Sequence, residues 1–105
     1  MKPRPITPAL LPDVAGRFKV LAEAARLSVL NALRDGPLNV SALMAATGLN
    51  QANLSKHLQL LHAHGFVSRR REGLFVYYAL ADTSVFALCD ILCGQLQRRK
   101  VKGER

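Results

Sequence analysis

Asn39-Val40-Ser41-Ala42-Leu43-Met44-Ala45-Ala46-Thr47-Gly48-Leu49-Asn50-Gln51-Ala52-Asn53-Leu54-Ser55-Lys56-His57-Leu58-Gln59-Leu60-Leu61-His62-Ala63-His64 is the stretch that decides the fold. It reads as two helices joined by a very short turn. Asn39 suits the N-cap of the first helix, because its side-chain oxygen accepts from an amide that has no partner within the helix. Val40, Leu43 and Met44 supply a one-sided apolar stripe. Gly48 ends the helix, since glycine enters the left-handed region without a Cβ clash. Leu49 plugs the corner. Asn50 then caps the second helix, and Leu54, Leu58 and Leu61 fall on one face of it.

The opposite face of that second helix carries the chemistry. At roughly 100° per residue, Ala52, Lys56, Gln59 and Ala63 point away from the leucines, with Gln51, Asn53 and Ser55 flanking them near the N-terminal end. A helix that enters the major groove of DNA needs this set: amides for base edges, small residues for close approach, a cation for phosphate. An ordinary solvated helix face is the plain alternative, and the rest of the chain discriminates between the two.

The chain has 105 residues, half of them apolar, which predicts one domain with a small core. Its 15 lysines and arginines against 7 acids give a net charge of +8, pointing to an anionic partner. The cations are unevenly placed: Arg69, Arg70 and Arg71 are consecutive, and Arg98, Arg99, Lys100 and Lys102 cluster near the end. No stretch approaches a membrane span and no secretion signal opens the chain, so a cytoplasmic protein without a membrane partner is expected. Cys89 and Cys93 lie too close together to staple a fold and are expected as thiols in a reducing compartment.

Residues 1–9 hold three of the five prolines and read as a flexible basic arm. Leu11, Val14, Ala15, Phe18, Leu21 and Ala22 recur at helical spacing and predict a first helix over about 10–23. A second helix is expected over about 24–34 with Leu27, Leu30 and Leu33 buried, closed by Arg34-Asp35-Gly36-Pro37. Leu38 leads on through a short extended segment. After the central pair of helices, Gly65 is a stop. Residues 66–71 and 74–80 are rich in strand formers around Glu72-Gly73, a hairpin signal. Alternation puts Arg69 and Arg71 on one face of the hairpin and Arg70 on the other, while Leu74, Val76, Tyr78 and Leu80 share a face of the second strand. Asp82 caps a last helix over about 83–99, striped by Val85, Leu88, Cys89, Leu92 and Leu96. Residues 100–105 form a basic tail, leaving 10–99 as the folded domain.

The order is α-α-α-α-β-β-α, a mainly α winged helix-turn-helix. A basic hairpin beside a recognition helix can track phosphates along an adjacent groove. The predicted DNA contacts are therefore Gln51, Ala52, Asn53, Ser55, Lys56 and Gln59 on the helix and Arg69, Arg70 and Arg71 on the wing. A charged strand that resists edge-to-edge aggregation explains the arginine run equally simply.

Particular residues also carry a family resemblance. They are Leu21-Ala22-Glu23-Ala24-Ala25-Arg26-Leu27-Ser28-Val29-Leu30, Gly48-Leu49-Asn50-Gln51, Leu54-Ser55-Lys56-His57-Leu58, Leu60-Leu61, Gly65-Phe66-Val67, Arg71-Glu72-Gly73 and Tyr77-Tyr78-Ala79-Leu80. In these the chain resembles the ArsR/SmtB family of small bacterial winged-helix repressors over about residues 10–97. The resemblance implies a homodimer through the first and last helices, a palindromic double-stranded DNA operator, and release by a ligand or by chemistry on the protein. It carries Gln51, Ser55 and Lys56 onto DNA-contacting positions. Leu11, Phe18, Val85, Leu88, Leu92 and Leu96 are the expected dimer contacts.

The family's usual metal sites are missing from the pattern: the central helices have no cysteine pair, and the last helix has no histidine. His57 falls beside the leucine stripe and reads as a packing residue or as one that supports a neighbouring side chain, and His62 and His64 are expected at a helix C-terminus, where the dipole favours a cation. Cys89 and Cys93 stand one helical turn apart and, doubled in a dimer, form a thiol set suited to a soft metal, a trivalent metalloid or oxidation. Small apolar packing residues are the other reading of the same pair, in which case no cofactor is bound. Two other function classes fit the pattern less well. One is an enzyme, for which no nucleophile–base pair, phosphate loop or carboxylate cluster is present. The other is a winged-helix module that binds protein rather than DNA.

Overall fold

The computed structural model describes residues 3–101. Five helices and three strands follow in the order α1 (Leu11–Leu21), α2 (Ala24–Ala32), β1 (Leu38–Asn39), α3 (Val40–Thr47), α4 (Gln51–Ala63), β2 (Val67–Glu72), β3 (Phe75–Leu80) and α5 (Ser84–Val101). The winged helix-turn-helix order is as expected, with one addition. Leu38 and Asn39 pair with Tyr78 and Tyr77, so the hairpin gains a third antiparallel strand in the order β1-β3-β2.

Local chemistry sets the helix-turn-helix. The Asn39 side chain accepts from the Ala42 amide at 2.8 Å, and Asn50 from Asn53 at 2.9 Å. Gly48 closes α3 at φ +75°, a backbone state that disfavours side chains with a Cβ. The recognition helix α4 ends in paired reversals: the Phe66 amide donates to the Leu61 carbonyl at 2.9 Å and Gly65 to His62 at 3.1 Å. This is the Schellman closure, with Gly65 in the left-handed position at φ +78°.

The core lies where α2, α3 and α4 meet the root of the sheet. Val29, Leu30, Leu33, Leu43, Leu54, Leu58 and Leu61 are at most 2% exposed, joined by Val20, Phe66, Val67, Tyr78 and Val85. Each such leucine contributes about 2 kcal/mol by leaving water, so the leucine face fixes α4 in rotation as well as in place.

Several expectations are corrected. The first helix is shorter than 10–23, and its buried residue is Val20; Leu11, Ala15, Phe18 and Ala22 face outward. The chain breaks at Ala22–Glu23, where Glu23 turns extended (φ −147°, ψ 119°) without a glycine or proline. There the Arg26 Nε donates to the Val20 carbonyl at 2.6 Å, satisfying a helix-end acceptor. The second helix ends at Ala32 rather than 34, and Leu27 is 38% exposed while Val29 takes the core position. The hairpin turn is Gly73-Leu74, closed by the pair Glu72 and Phe75, not Glu72-Gly73. Gly73 has φ +61°, the sign that the first loop position of a mirror-image two-residue turn requires. Leu74 thus leaves the strand face assigned to it. The last helix runs to Val101 rather than 99, and residues 102–105 of the expected basic tail lie outside those described. Of the proposed N-terminal arm, residues 1 and 2 also lie outside; residues 3–10 form no helix or strand, apart from a turn in which the Leu10 amide donates to Thr7.

Asp82 caps the last helix as expected, accepting from the Ser84 amide at 2.9 Å and the Ser84 hydroxyl at 2.6 Å. Beyond its first turns α5 leaves the body: from Asp90 to Lys100 every residue except Gly94 is exposed. The radius of gyration, 16.0 Å, exceeds the roughly 13 Å of a compact chain of this length. Among the described residues, no helix is long and apolar enough to cross a membrane.

Candidate nucleic-acid interface

Burying Leu54, Leu58 and Leu61 turns the other side of α4 outward. Gln51, Ala52, Asn53, Ser55, Lys56 and Gln59 are all exposed. The first turn of α4 has no acidic residue, so the positive end of the helix dipole and its free amides face solvent unopposed. His57 lies half-buried at the edge of the leucine face, its Nδ1 3.3 Å from Nη1 of Arg26. It therefore lies between α4 and α2, supporting the helix from behind its outward face.

The wing stands beside this helix. Arg69 pairs across the ladder with Tyr78, Arg70 with Tyr77 and Arg71 with Val76, so alternation holds as expected. All three arginines are exposed but differ in their partners. Arg70 Nε is 2.8 Å from Glu72 Oε2, and its guanidinium lies 5.9 Å from the Tyr77 ring centre. Its charge is partly compensated. Arg71 Nε donates to the Gly73 carbonyl at 3.3 Å, which holds its side chain along the turn. Among the described residues, Arg69 and Arg71 thus carry the wing's charge without an acidic partner. Gln51 at the start of α4 lines one groove together with Val40, Met44, Leu74, Phe75 and Val76, so the wing tip and the N-terminal end of the recognition helix border the same groove.

Two arginines with no local sequence signal tie this surface to the rest of the chain. Arg26 is one. Arg17 is the other: Nη1 donates to the His64 carbonyl at 2.7 Å, Nη2 lies 3.5 Å from Asp82, and the guanidinium sits 4.3 Å over the Phe66 ring. It joins α1, the end of α4 and the start of α5. Asp82 is held below the ordinary aspartate value of 3.8, first by the Ser84 hydroxyl, then by the Ser84 amide, with Arg17 adding to the effect.

Of the expected dimer contacts, Leu11, Phe18, Leu92 and Leu96 are 49–59% exposed, and Leu88 is half-buried. Val85 is 4% exposed within its own chain, so it belongs to the core and not to an open face. Cys89 is half-buried beside a small cavity of about 200 Å³ lined by Leu27, Leu30 and Phe86, whereas Cys93 is exposed. Among the described residues, no three His, Cys, Asp or Glu side chains come together as a metal would require.

The sequence pattern of the bacterial regulatory protein, arsR family, matches residues 23–69. HTH-type transcriptional regulator Rv0324 of Mycobacterium tuberculosis is 40% identical over 90 residues, covering 83% of this chain and 40% of the relative. The transcriptional repressor SmtB homolog of Synechocystis is 36% identical over 85 residues, covering 81% of this chain and 64% of the relative. This chain therefore spans less than two thirds of the length of either. In three dimensions it is similar to the homodimeric winged helix-turn-helix DNA-binding domain of Mb0332 from Mycobacterium bovis. The TM-score is 0.76 at 37% identity, with 87% of each chain covered. A capped helix-turn-helix, a three-stranded wing and this match in sequence and structure agree: the chain belongs to the ArsR family of bacterial regulatory proteins.

Proposed function

We propose that the protein is a homodimeric, sequence-specific transcriptional repressor acting in the cytoplasm on a palindromic DNA operator. The observation that carries this reading is the exposed polar face of α4, rigidly set by its buried leucines and flanked by the wing arginines. One α4 from each subunit enters a major groove, where Gln51, Asn53 and Ser55 meet base edges, Ala52 permits close approach, and Lys56 and Gln59 meet phosphate or bases. Arg69 and Arg71 bind backbone phosphates, with Arg70 contributing less because Glu72 holds it. The dimer forms through α1 and α5, whose Leu11, Phe18, Leu88, Leu92 and Leu96 offer apolar surface that the single chain leaves uncovered or half-covered.

The test is selection from random duplexes, followed by binding measurements on the selected site and on random DNA. Gln51→Ala weakens binding to the selected site by about 1–3 kcal/mol and to random DNA by less. Arg69→Ala/Arg71→Ala weakens both alike. Equal losses on both DNAs for Gln51→Ala remove the base-reading role, and absence of any selected site removes the function.

The inducer reading rests on Cys89 and Cys93. They sit on the helix assigned to the dimer, one half-buried and one exposed. Two thiols per chain fall short of the three that a trivalent metalloid takes or the four of a tetrahedral thiolate site, and a second subunit doubles them. A trivalent metalloid, a soft metal or an oxidant acting there alters subunit packing and hence the spacing of the two α4 helices. Cys89→Ser/Cys93→Ser is expected to bind the operator as the native chain does and to resist release by arsenite or hydrogen peroxide. Normal release of that variant assigns the cysteines to packing.

A further inference from the structure

The wing tip is apolar where turn chemistry calls for a polar residue. Two-residue hairpin loops are ordinarily built from Asn, Asp and Gly. Here the loop is Gly73-Leu74, and Leu74 is 92% exposed; Phe75, the first residue of β3, is 55% exposed. Among the described residues nothing covers Leu74, so its apolar surface gains almost nothing from folding. The loop does not need leucine for its shape, because Gly73 supplies the positive φ.

The surroundings of Leu74 indicate what it meets. Leu74, Phe75 and Val76 share a groove with Gln51, at the N-terminal end of the recognition helix, so the tip lies beside the proposed base-reading surface. Arg71 is held along the turn by the Gly73 carbonyl. Arg70, the cation that would compete for the same phosphates, is partly compensated by Glu72. A projecting aliphatic side chain next to an arginine is the composition of proteins that enter the minor groove. There the cation answers the negative potential and an apolar wedge partly unstacks a base step.

The geometry points to Leu74 as an apolar wedge that enters the minor groove of the DNA flanking the half-site contacted by α4. It rests on the DNA-binding reading and adds to it a second source of specificity. The wedge makes no hydrogen bond to a base. It selects for deformability, favouring a flexible pyrimidine–purine step such as TA at the flank over a stiff A-tract.

The experiment uses the full chain and the operator obtained by selection, in two versions that differ only in carrying TA or AA at the flanking step. The native protein binds the TA version about tenfold more tightly, the scale of a single unfavourable base pair. It also raises the fluorescence of a 2-aminopurine placed at that step. Leu74→Asn keeps the circular dichroism and melting temperature of the native chain, since the exposed side chain adds nothing to the core. This variant binds the two versions equally and leaves 2-aminopurine quenched. Leu74→Met restores both signals. Selective operator binding by the native chain with no flank preference, or with a preference that Leu74→Asn retains, overturns the wedge while leaving the DNA-binding function standing. Failure of the native chain to select any DNA overturns both. Loss of dimer mass on Leu74→Asn overturns the wedge by assigning the tip to contact between copies.

Discussion

Arg17 meets the His64 carbonyl, Asp82 and the Phe66 ring at once, and so fixes where the end of α4 sits relative to α1 and α5. Contacts 47 residues apart leave no trace in local periodicity, so its sequence position on a polar helix face gave no hint of this role. The same is true of Arg26 with His57, 31 residues away. Asp82 completes the junction, and its lowered carboxyl pKa has a stability consequence whose sign is fixed. The folded state favours the ionised form more than the unfolded chain does. The contribution is therefore present above the ordinary aspartate value and is lost as pH falls through the lower folded value. Asp82→Asn is expected to flatten the fall of melting temperature between about pH 5 and pH 3 relative to the native chain, because the amide still accepts from Ser84 but no longer titrates. Equal acid slopes for the two proteins would contradict this role of the junction.

At the scale of elements, the parts that were legible in the sequence are those fixed by short-range chemistry. Asn39, Asn50, Gly48 and Gly65 delimit α3 and α4 by caps that need only neighbouring atoms, and the structure places each cap there. Legibility failed where tertiary packing chooses among equivalent apolar residues. In α2, helical spacing gives a period but not a phase; contact with α3 and α4 selects Val29 and turns Leu27 outward. In α1, Val20 packs and the larger Phe18 is left 54% exposed. The two-residue β1 is too short to show periodicity. The hairpin slipped by one residue because Leu74 continued the strand alternation, whereas the backbone demand at Gly73 decides the turn. The last helix divides along its length. Its stripe begins in the core at Val85 and continues to Leu92 and Leu96, 53% and 59% exposed, beyond any contact with its own chain's core. Leu92→Asp is therefore expected to abolish the dimer while keeping the monomer's helical content, read by sedimentation and circular dichroism. A native chain that sediments as a monomer at micromolar concentration would contradict the role given to α5.

For the whole molecule, three features converge on paired binding to a duplex. They are a net charge of +8, a recognition helix rotated so that its polar face looks out, and two helices that leave apolar side chains exposed. In the proposed two-fold dimer, two copies of α4 would meet half-sites about 34 Å apart on one face of the duplex. Charge alone would give only non-specific attraction; the paired helices give the geometry that a palindrome rewards. The most direct measurement is a titration of the native protein onto its selected palindrome, a single half-site and random duplex over a range of salt. Two chains are predicted to bind per palindrome. The palindrome is predicted to bind far more tightly than the half-site or random DNA. With about six phosphates neutralised, affinity should fall on the order of a thousandfold between about 50 and 200 mM salt. Binding that is insensitive to salt, or equal on all three duplexes, would contradict a dimeric, sequence-reading repressor.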